Sequence, residues 1–389
     1  MITKERRGGL TVAILSLSLL TVMAGAAVAP ALNTIHAYFS YANQALVQMI
    51  ISVPALFIFL TNMIFPKLCR IFRAKELVLI GLALYIAGGC AAGFFSSIWL
   101  VLIIRAAVGC GVGIIMPLST GLLSFYYTRD KQDRLMGYAS AMNQLGGVIA
   151  TLIAGMLAQI TWRASFLVYL IGLVSAVPCV LFLPNEKIAG EKGAKEKGVF
   201  SRYSSYIIAM FLLMFSFFVY PSSFAMEMAK EGVVPMSLVS VIMAGMDLVA
   251  LLGGLSFIHI RQHLGTGTRF AAPVLFVAGY ALLELVGGWT GALLGSALVG
   301  FANGAGIPYL ISTAGKAAGR NAATTVMPML SMALYFAQFL TPLILAALGS
   351  IPPFAASLTS SVLFLIWSIR IHDDPDAPQP VRQENHHTI

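Results

Sequence analysis

Long apolar runs separated by short, polar and mostly basic loops set the pattern of this chain. The runs are continuous and do not alternate with period two, which excludes the strands of a membrane barrel. A helix needs about 17–25 mostly apolar residues to cross a bilayer. Twelve segments meet that length, at about 9–32, 44–65, 76–95, 98–125, 137–159, 164–183, 204–226, 235–258, 270–288, 291–313, 323–348 and 352–371. They are called spans 1 to 12 below. The pattern predicts an all-α polytopic membrane protein.

Composition points the same way. Of 389 residues 59% are apolar and 10% charged, with a mean hydropathy of +0.88. Soluble domains run nearer 45–50% and about 25%, so too few polar side chains exist to cover a water-soluble protein. That excludes a soluble enzyme, a disulfide scaffold and a disordered chain. The basic Met1–Arg7 followed by an apolar run resembles a secretory leader. The run to Leu32 exceeds an h-region of about 7–15 residues, so it is expected to stay as the first span.

The net charge of +9 sorts by loop. Twenty-one of the 24 Lys and Arg residues fall at the amino terminus, after spans 2, 4, 6, 8 and 10, and at the carboxyl terminus. The other loops hold only Arg163 and Lys230, and Arg105 lies inside span 4. This asymmetry predicts a cytoplasmic-membrane protein with both termini cytoplasmic, and it accounts for the charge without a nucleic-acid partner. Cys69, Cys90, Cys110 and Cys179 stand singly and read as small apolar residues. The six histidines are scattered, and no GxxxxGK[ST] loop occurs. No metal, cofactor, ATP site or catalytic set is therefore expected, and the protein is not expected to be an enzyme.

The polar stretch before span 7 divides the chain evenly. The expected organisation is a six-helix bundle over 1–184, a cytoplasmic linker over 185–203, a second six-helix bundle over 204–371 and a flexible cytoplasmic tail over 372–389. The halves echo one another. Span 4 carries Arg105-Ala-Ala-Val-Gly109-Cys-Gly111-Val-Gly113-Ile-Ile-Met-Pro117, and span 10 carries Gly300-Phe-Ala-Asn-Gly304-Ala-Gly306-Ile-Pro308. Gly109, Gly113 and Pro117 recur 191 residues later as Gly300, Gly304 and Pro308. Glycines four apart let helix backbones touch, and a proline removes one backbone hydrogen bond and kinks the helix. Generic GxxxG packing would explain the glycines alone. The repeated proline at the same offset favours paired hinge helices, one in each half, rocking about a central cavity.

With these motifs the sequence resembles the major facilitator superfamily over its whole length. Arg105 to Pro117 is similar to that family's span-4 motif, Trp162-Arg163-Ala-Ser-Phe166 to its WRxxF element, and Pro30-Ala-Leu-Asn-Thr-Ile35 to the close of its first span. The resemblance implies twelve helices in two six-helix pseudo-repeats, with spans 1, 4, 7 and 10 lining a cavity. Two departures stand out. The loop after span 2 reads Pro66-Lys-Leu-Cys-Arg70-Ile-Phe-Arg73-Ala-Lys75, with Arg70 where the family carries an acid. Span 5 reads Gly146-Gly147-Val-Ile-Ala150-Thr151-Leu-Ile-Ala154-Gly155, with Ala150-Thr151 where antiporters of the family carry a glycine-proline pair.

Charged residues inside a membrane cost at least about 2.5–3.5 kcal/mol and usually face a partner or a wet cavity. Asp247 lies at the centre of span 8. It reads as a carboxyl that takes and releases a proton as access alternates, or as a hydrogen-bonded packing acid. Arg105, about 10 Å into span 4 at 1.5 Å per residue, reads as a counter-charge, an anion site or a donor to backbone carbonyls. Glu284 lies near the outer end of span 9, within reach of headgroups. The polar inventory that could touch a substrate is Gln48, Asn143, Gln144, Tyr220, Asn303, Tyr309 and Gln338, each of which could equally bridge two helices. Methionines gather in the second half, from Met210 to Met246, where flexible thioethers suit a repacking pocket or ordinary packing. The expected function is a monomeric secondary transporter that exports small amphipathic compounds in exchange for protons. Uptake or exchange of a small organic anion at Arg105 is the alternative within transport. A non-transporting sensor or lipid-handling protein is the alternative outside it.

Overall fold

The computed structural model describes residues 4–127, 129–187, 199–232 and 234–371. The expected linker therefore falls largely outside the described residues, and the expected tail wholly so. The described residues form helices and connecting turns, without a strand. Spans 1 to 8 correspond to Lys4–Ala26 with Leu32–Tyr38, Gln44–Ile71, Ala74–Ala91, Ile98–Tyr126, Arg129–Ile160, Ala164–Ile171 with Gly172–Phe182, Val199–Glu231, and Met236–Leu264. Span 9 is Thr268–Ala281 with a π-turn over Leu282–Val286, and span 12 is Pro353–Trp367.

Two boundaries differ from those the sequence predicts. Spans 10 and 11 follow one another in a single helical stretch, Ser296–Ala347, within which the chain reverses: a Cβ on Gly315 would stand 3.0 Å from Met327 Cε, two residues that a straight helix would set about 18 Å apart. At 1.5 Å per residue its 52 residues are too long for a single crossing, and two stretches of it, ending at Ala318 and beginning at Val326, are each apolar enough to cross. Spans 8 and 9 similarly form one 51-residue helical stretch, Met236–Val286. Gly265 divides it, at φ +52°, a backbone region that only glycine enters without strain. Eleven membrane-capable stretches among the described residues thus contain twelve crossings.

Spans 1 to 6 pack among themselves, as do spans 7 to 12. The groups meet along two seams, span 5 against span 8 and span 2 against the helix of spans 10 and 11. They also meet at the end opposite the basic loops, where Ala29–Ala31 and Leu32–Tyr38 lie on span 7. There Lys230 Nζ donates to Gln44 Oε1 at 3.4 Å and Gln48 Nε2 to Ser223 Oγ at 3.0 Å. Spans 1 and 4 make no extended packing with spans 7 and 10, and Tyr335 OH of span 11 donates to Met116 Sδ of span 4 at 2.7 Å.

The repeated glycines set the helix spacing. A Cβ on Gly109 would overlap the carbonyl oxygen of Pro54, and one on Gly113 would sit 2.7 Å from Thr61 Cβ, so span 4 lies directly on span 2. In the second half, Gly300 and Gly304 lie against the carbonyls of Met246 and Ala250, so span 10 lies on span 8 in the same way. Pro117 and Pro308 sit inside their helices. Gly304→Ala must push two backbones apart. It is expected to cost about 1–3 kcal/mol, as overpacking does, measured as a lowered unfolding midpoint in detergent, whereas Gly137→Ala, with open space around its Cβ, should leave that midpoint unchanged.

Among the described residues, the aberrant loop after span 2 is held by hydrogen bonds and no charge lock is found. Ala74 N donates to Glu186 O at 2.9 Å, Lys75 Nζ to Val180 O at 2.6 Å, and Glu76 Oε2 accepts from Arg73 N at 3.0 Å. The salt bridge found among the described residues is Lys230–Glu227, at the far end of span 7. Tyr126 OH donates to Glu186 Oε2 at 3.3 Å.

Candidate functional site

Arg105 is fully buried, and its partners all belong to the first half. Nε donates to Ile50 O at 2.9 Å, Nη2 to Ala24 O at 2.5 Å and Nη1 to the Tyr169 hydroxyl at 2.5 Å. Tyr169 in turn donates to Ala24 O at 2.7 Å, and its ring centroid lies 5.2 Å from the guanidinium carbon. One planar fork thereby ties spans 1, 2, 4 and 6 together. Both carbonyls sit in span helices, where such acceptors have few other donors. Tyr169 carried no sequence signal, since a tyrosine in an apolar run looks like core.

The WRxxF element forms a second clamp. Arg163 Nη1 donates to Gly93 O at 2.9 Å, and Nη2 donates to Tyr38 OH and Ser96 Oγ, both at 3.0 Å. Its guanidinium carbon lies 4.6 Å from the Trp162 ring centroid, a cation–π arrangement. It ties the far ends of spans 1, 3 and 6.

Asp247 lies elsewhere, in the seam between the halves. Its Oδ2 accepts from Thr151 Oγ1 of span 5 at 3.0 Å. A Cβ on Gly147 would stand 3.5 Å from the same oxygen, and one on Gly155 would overlap Ser240 Cβ. Gly147, Thr151 and Gly155 are spaced four apart and share one helix face. That face admits span 8 closely enough for a mid-membrane carboxylate to reach across. The structure does not bring Arg105 and Asp247 together. Their partners lie on different helices, because the fork of Arg105 is spent on carbonyls and Tyr169. Glu284 is half-buried on the π-turn of span 9, within electrostatic reach of Glu227 and Glu231, away from both.

The polar candidates divide by what they touch. Gln48 bridges the halves to Ser223. Gln338 of span 11 faces span 1 of the other half, its Nε2 3.5 Å from where a Gly25 Cβ would be. Asn143 accepts from Thr21 within the first half, and Gln144 beside it is half-buried. Tyr220 is fully buried and donates to Ser296 Oγ at 2.7 Å, joining spans 7 and 10. Tyr309 is buried. Asn303 is 6% exposed, and its Oδ1 meets no donor. A cavity of about 230 Å³ lies among spans 7, 10 and 11, lined by Met210, Ile311, Met327, Leu330, Ser331 and Leu334. None of the seven polar candidates lines it. Of the methionines singled out in the sequence, Met210 does, and Met327 joins it from span 11.

Two packed groups of six crossings that meet along seams of small residues define a multi-pass membrane protein. The sequence model of the Major Facilitator Superfamily matches residues 14–342, and the chain belongs to that family. It is 28% identical over 144 residues to an uncharacterized transporter of Schizosaccharomyces pombe, covering 37% of this chain and 29% of that one. It is 25% identical over 185 residues to the MFS antiporter QDR2 of Candida albicans, covering 46% and 36%. The matched region thus spans about a third of the length of these curated relatives. Among solved structures, a bacterial homologue of the human lysosomal transporter Spinster, in an inward-facing and occupied conformation, superposes with a TM-score of 0.71. That match has 16% identity and covers 95% of this chain and 96% of the other. A D-xylose-proton symporter gives 0.71 at 14% identity, covering 96% and 99%. At such identities the likeness shows the fold.

Proposed function

We propose that this protein is a proton-coupled secondary transporter that exports small amphipathic compounds across the cytoplasmic membrane. It acts as a monomer with both termini in the cytoplasm. Residues 1–184 and 204–371 move as two bodies joined by 185–203, rocking about spans 4 and 10. The observation that carries this reading is Asp247, a carboxylate at mid-membrane depth whose partner Thr151 belongs to the opposite half. A proton arriving there neutralises that carboxylate and changes the bond that spans the seam. The antiporter among the relatives and the basic-loop asymmetry support the direction and orientation. The alternative of an anion site at Arg105 finds no support in the geometry, since three of its donors already serve carbonyls and Tyr169.

The test is reconstitution in liposomes with a trapped pH dye under an imposed proton gradient, with pooled amphipathic compounds added outside. Compound-dependent proton flux is expected. Exchange of a labelled compound without proton flux would replace coupling by uniport or anion exchange. Silence in both assays would favour the non-transporting alternative.

A further inference from the structure

The basic-loop end of the second half gathers three arginines around one tryptophan. Trp367, at the end of span 12, donates from Nε1 to Ser205 O at 3.0 Å, which ties it to the start of span 7. Arg202 lies three residues before Ser205 on that helix, a spacing that places both on one side. Arg370 stacks on the tryptophan, its guanidinium carbon 4.7 Å from the Trp367 ring centroid. Arg269, in the first turn of span 9, donates from Nη1 to Ile371 O at 3.3 Å, so its guanidinium lies beside the residue that follows Arg370. Spans 7, 9 and 12 thereby bring three permanent cations together at one edge of the membrane.

The protein answers little of this charge. A guanidinium carries five N–H donors and no acceptor. Arg269 has found Ile371 O, while its Nε is enclosed without an acceptor. Arg202 is exposed and stacks only loosely on its neighbour, its guanidinium carbon 5.8 Å from the Tyr203 ring centroid. Among the described residues, no acidic side chain pairs with Arg202 or Arg269. The surroundings suit a lipid headgroup. Ile366 and Ile369 of span 12 are 59% and 63% exposed, an apolar flank along which acyl chains can lie. A tryptophan at a helix end marks headgroup depth. Arginine offers a phosphate two parallel hydrogen bonds, and basic pockets between helices on the cytoplasmic side take anionic headgroups.

We propose that Arg202, Arg269 and Arg370 form a binding site for the phosphate headgroup of an anionic phospholipid, seated against Trp367 with its acyl chains along Ile366 and Ile369. A zwitterionic lipid brings its own cation beside the arginines and binds more weakly. The site lies away from both seams between the halves, so it stands whether or not the protein moves protons or cargo.

Trp367 is the reporter, since Trp99, Trp162 and Trp289 lie at the opposite end of their spans. The full chain is placed in phosphatidylcholine nanodiscs holding a small, equal fraction of phosphatidylglycerol or phosphatidylcholine brominated on the acyl chains close to the glycerol. Brominated phosphatidylglycerol is expected to quench the fluorescence more strongly, and the excess should survive replacement of the three far tryptophans by phenylalanine. Arg202→Gln alone, an exposed change, should weaken phosphatidylglycerol binding about fivefold, the value of one cation at an anionic surface. Arg202→Gln with Arg269→Gln should erase the excess. Lys67→Gln with Arg70→Gln removes as much charge from the first half and should leave it intact. Equal quenching by the two lipids, or equal losses in that control pair, would overturn the site. Loss of the excess to inorganic phosphate, but not to chloride of the same ionic strength, would replace the lipid by a free anion. Asp373, Asp374 and Asp376 follow in sequence, and a rise in the excess when all three become asparagine would make them the occupant instead.

Discussion

Asp247→Asn protein in liposomes is expected to lose uphill transport entirely, with accumulation falling to the background of empty vesicles, while downhill exchange of a labelled compound persists at a substantial fraction of wild type. Asparagine keeps the size of the side chain and an oxygen that accepts from Thr151 Oγ1, so the seam between spans 5 and 8 stays packed. It removes only the capacity to carry and release a proton. Substrate movement and proton movement then separate, and the dye signal of wild type should be absent. Thr151→Val is the companion. It keeps the shape, deletes the donor, and should shift the pH at which uphill transport is half-maximal without abolishing it. Full uphill transport by Asp247→Asn would reduce the carboxylate to a packing acid.

Arg105→Ala is expected to fail at an earlier stage. The substitution leaves Ile50 O without its donor, removes one of two donors to Ala24 O, and opens a void at the junction of four spans. Hydrogen bonds to charged groups contribute about 1.5–3 kcal/mol each and are not additive. A total loss on the order of 3–5 kcal/mol follows with the void included, visible as a collapsed yield of monodisperse protein and a lowered unfolding midpoint. Arg105→Lys presents one point charge in place of a fork and should recover only part of the loss. A double-mutant cycle with Tyr169→Phe should show coupling, because the two side chains share Ala24 O. Normal stability with lost transport would instead return Arg105 to the transport path.

The hydrophobic pattern made the crossings and the family legible because bilayer thickness fixes span length and the motifs of spans 4 and 6 are specific. How tightly span 11 folds back on span 10 was not legible, since residues 316–325 hold no proline to mark the reversal. Among the site residues, Asp247 stood out as a charge in an apolar run. Its partner did not: Thr151 was visible only as a departure from a family motif, although Gly147, Thr151 and Gly155 already marked a face of small residues. Tyr169 and the cavity wall around Ser331 could not be read at all. Such side chains acquire meaning only when a distant helix is brought beside them, and apolar composition is the same for a wall, a core and a lipid-facing surface.

The glycine contacts of the second half have a mechanical consequence. Gly300 and Gly304 seat span 10 on the carbonyls of Met246 and Ala250, and these two residues flank Asp247 in sequence. With no side chains between the backbones to absorb displacement, a tilt of span 10 cannot be taken up by rotamer changes and must carry span 8 along with it. Span 10 and the helix bearing the carboxylate behave as one lever. Cargo pressing on one arm would alter how closely the other presents its acid to Thr151, without any chain of intervening side chains to relay the signal.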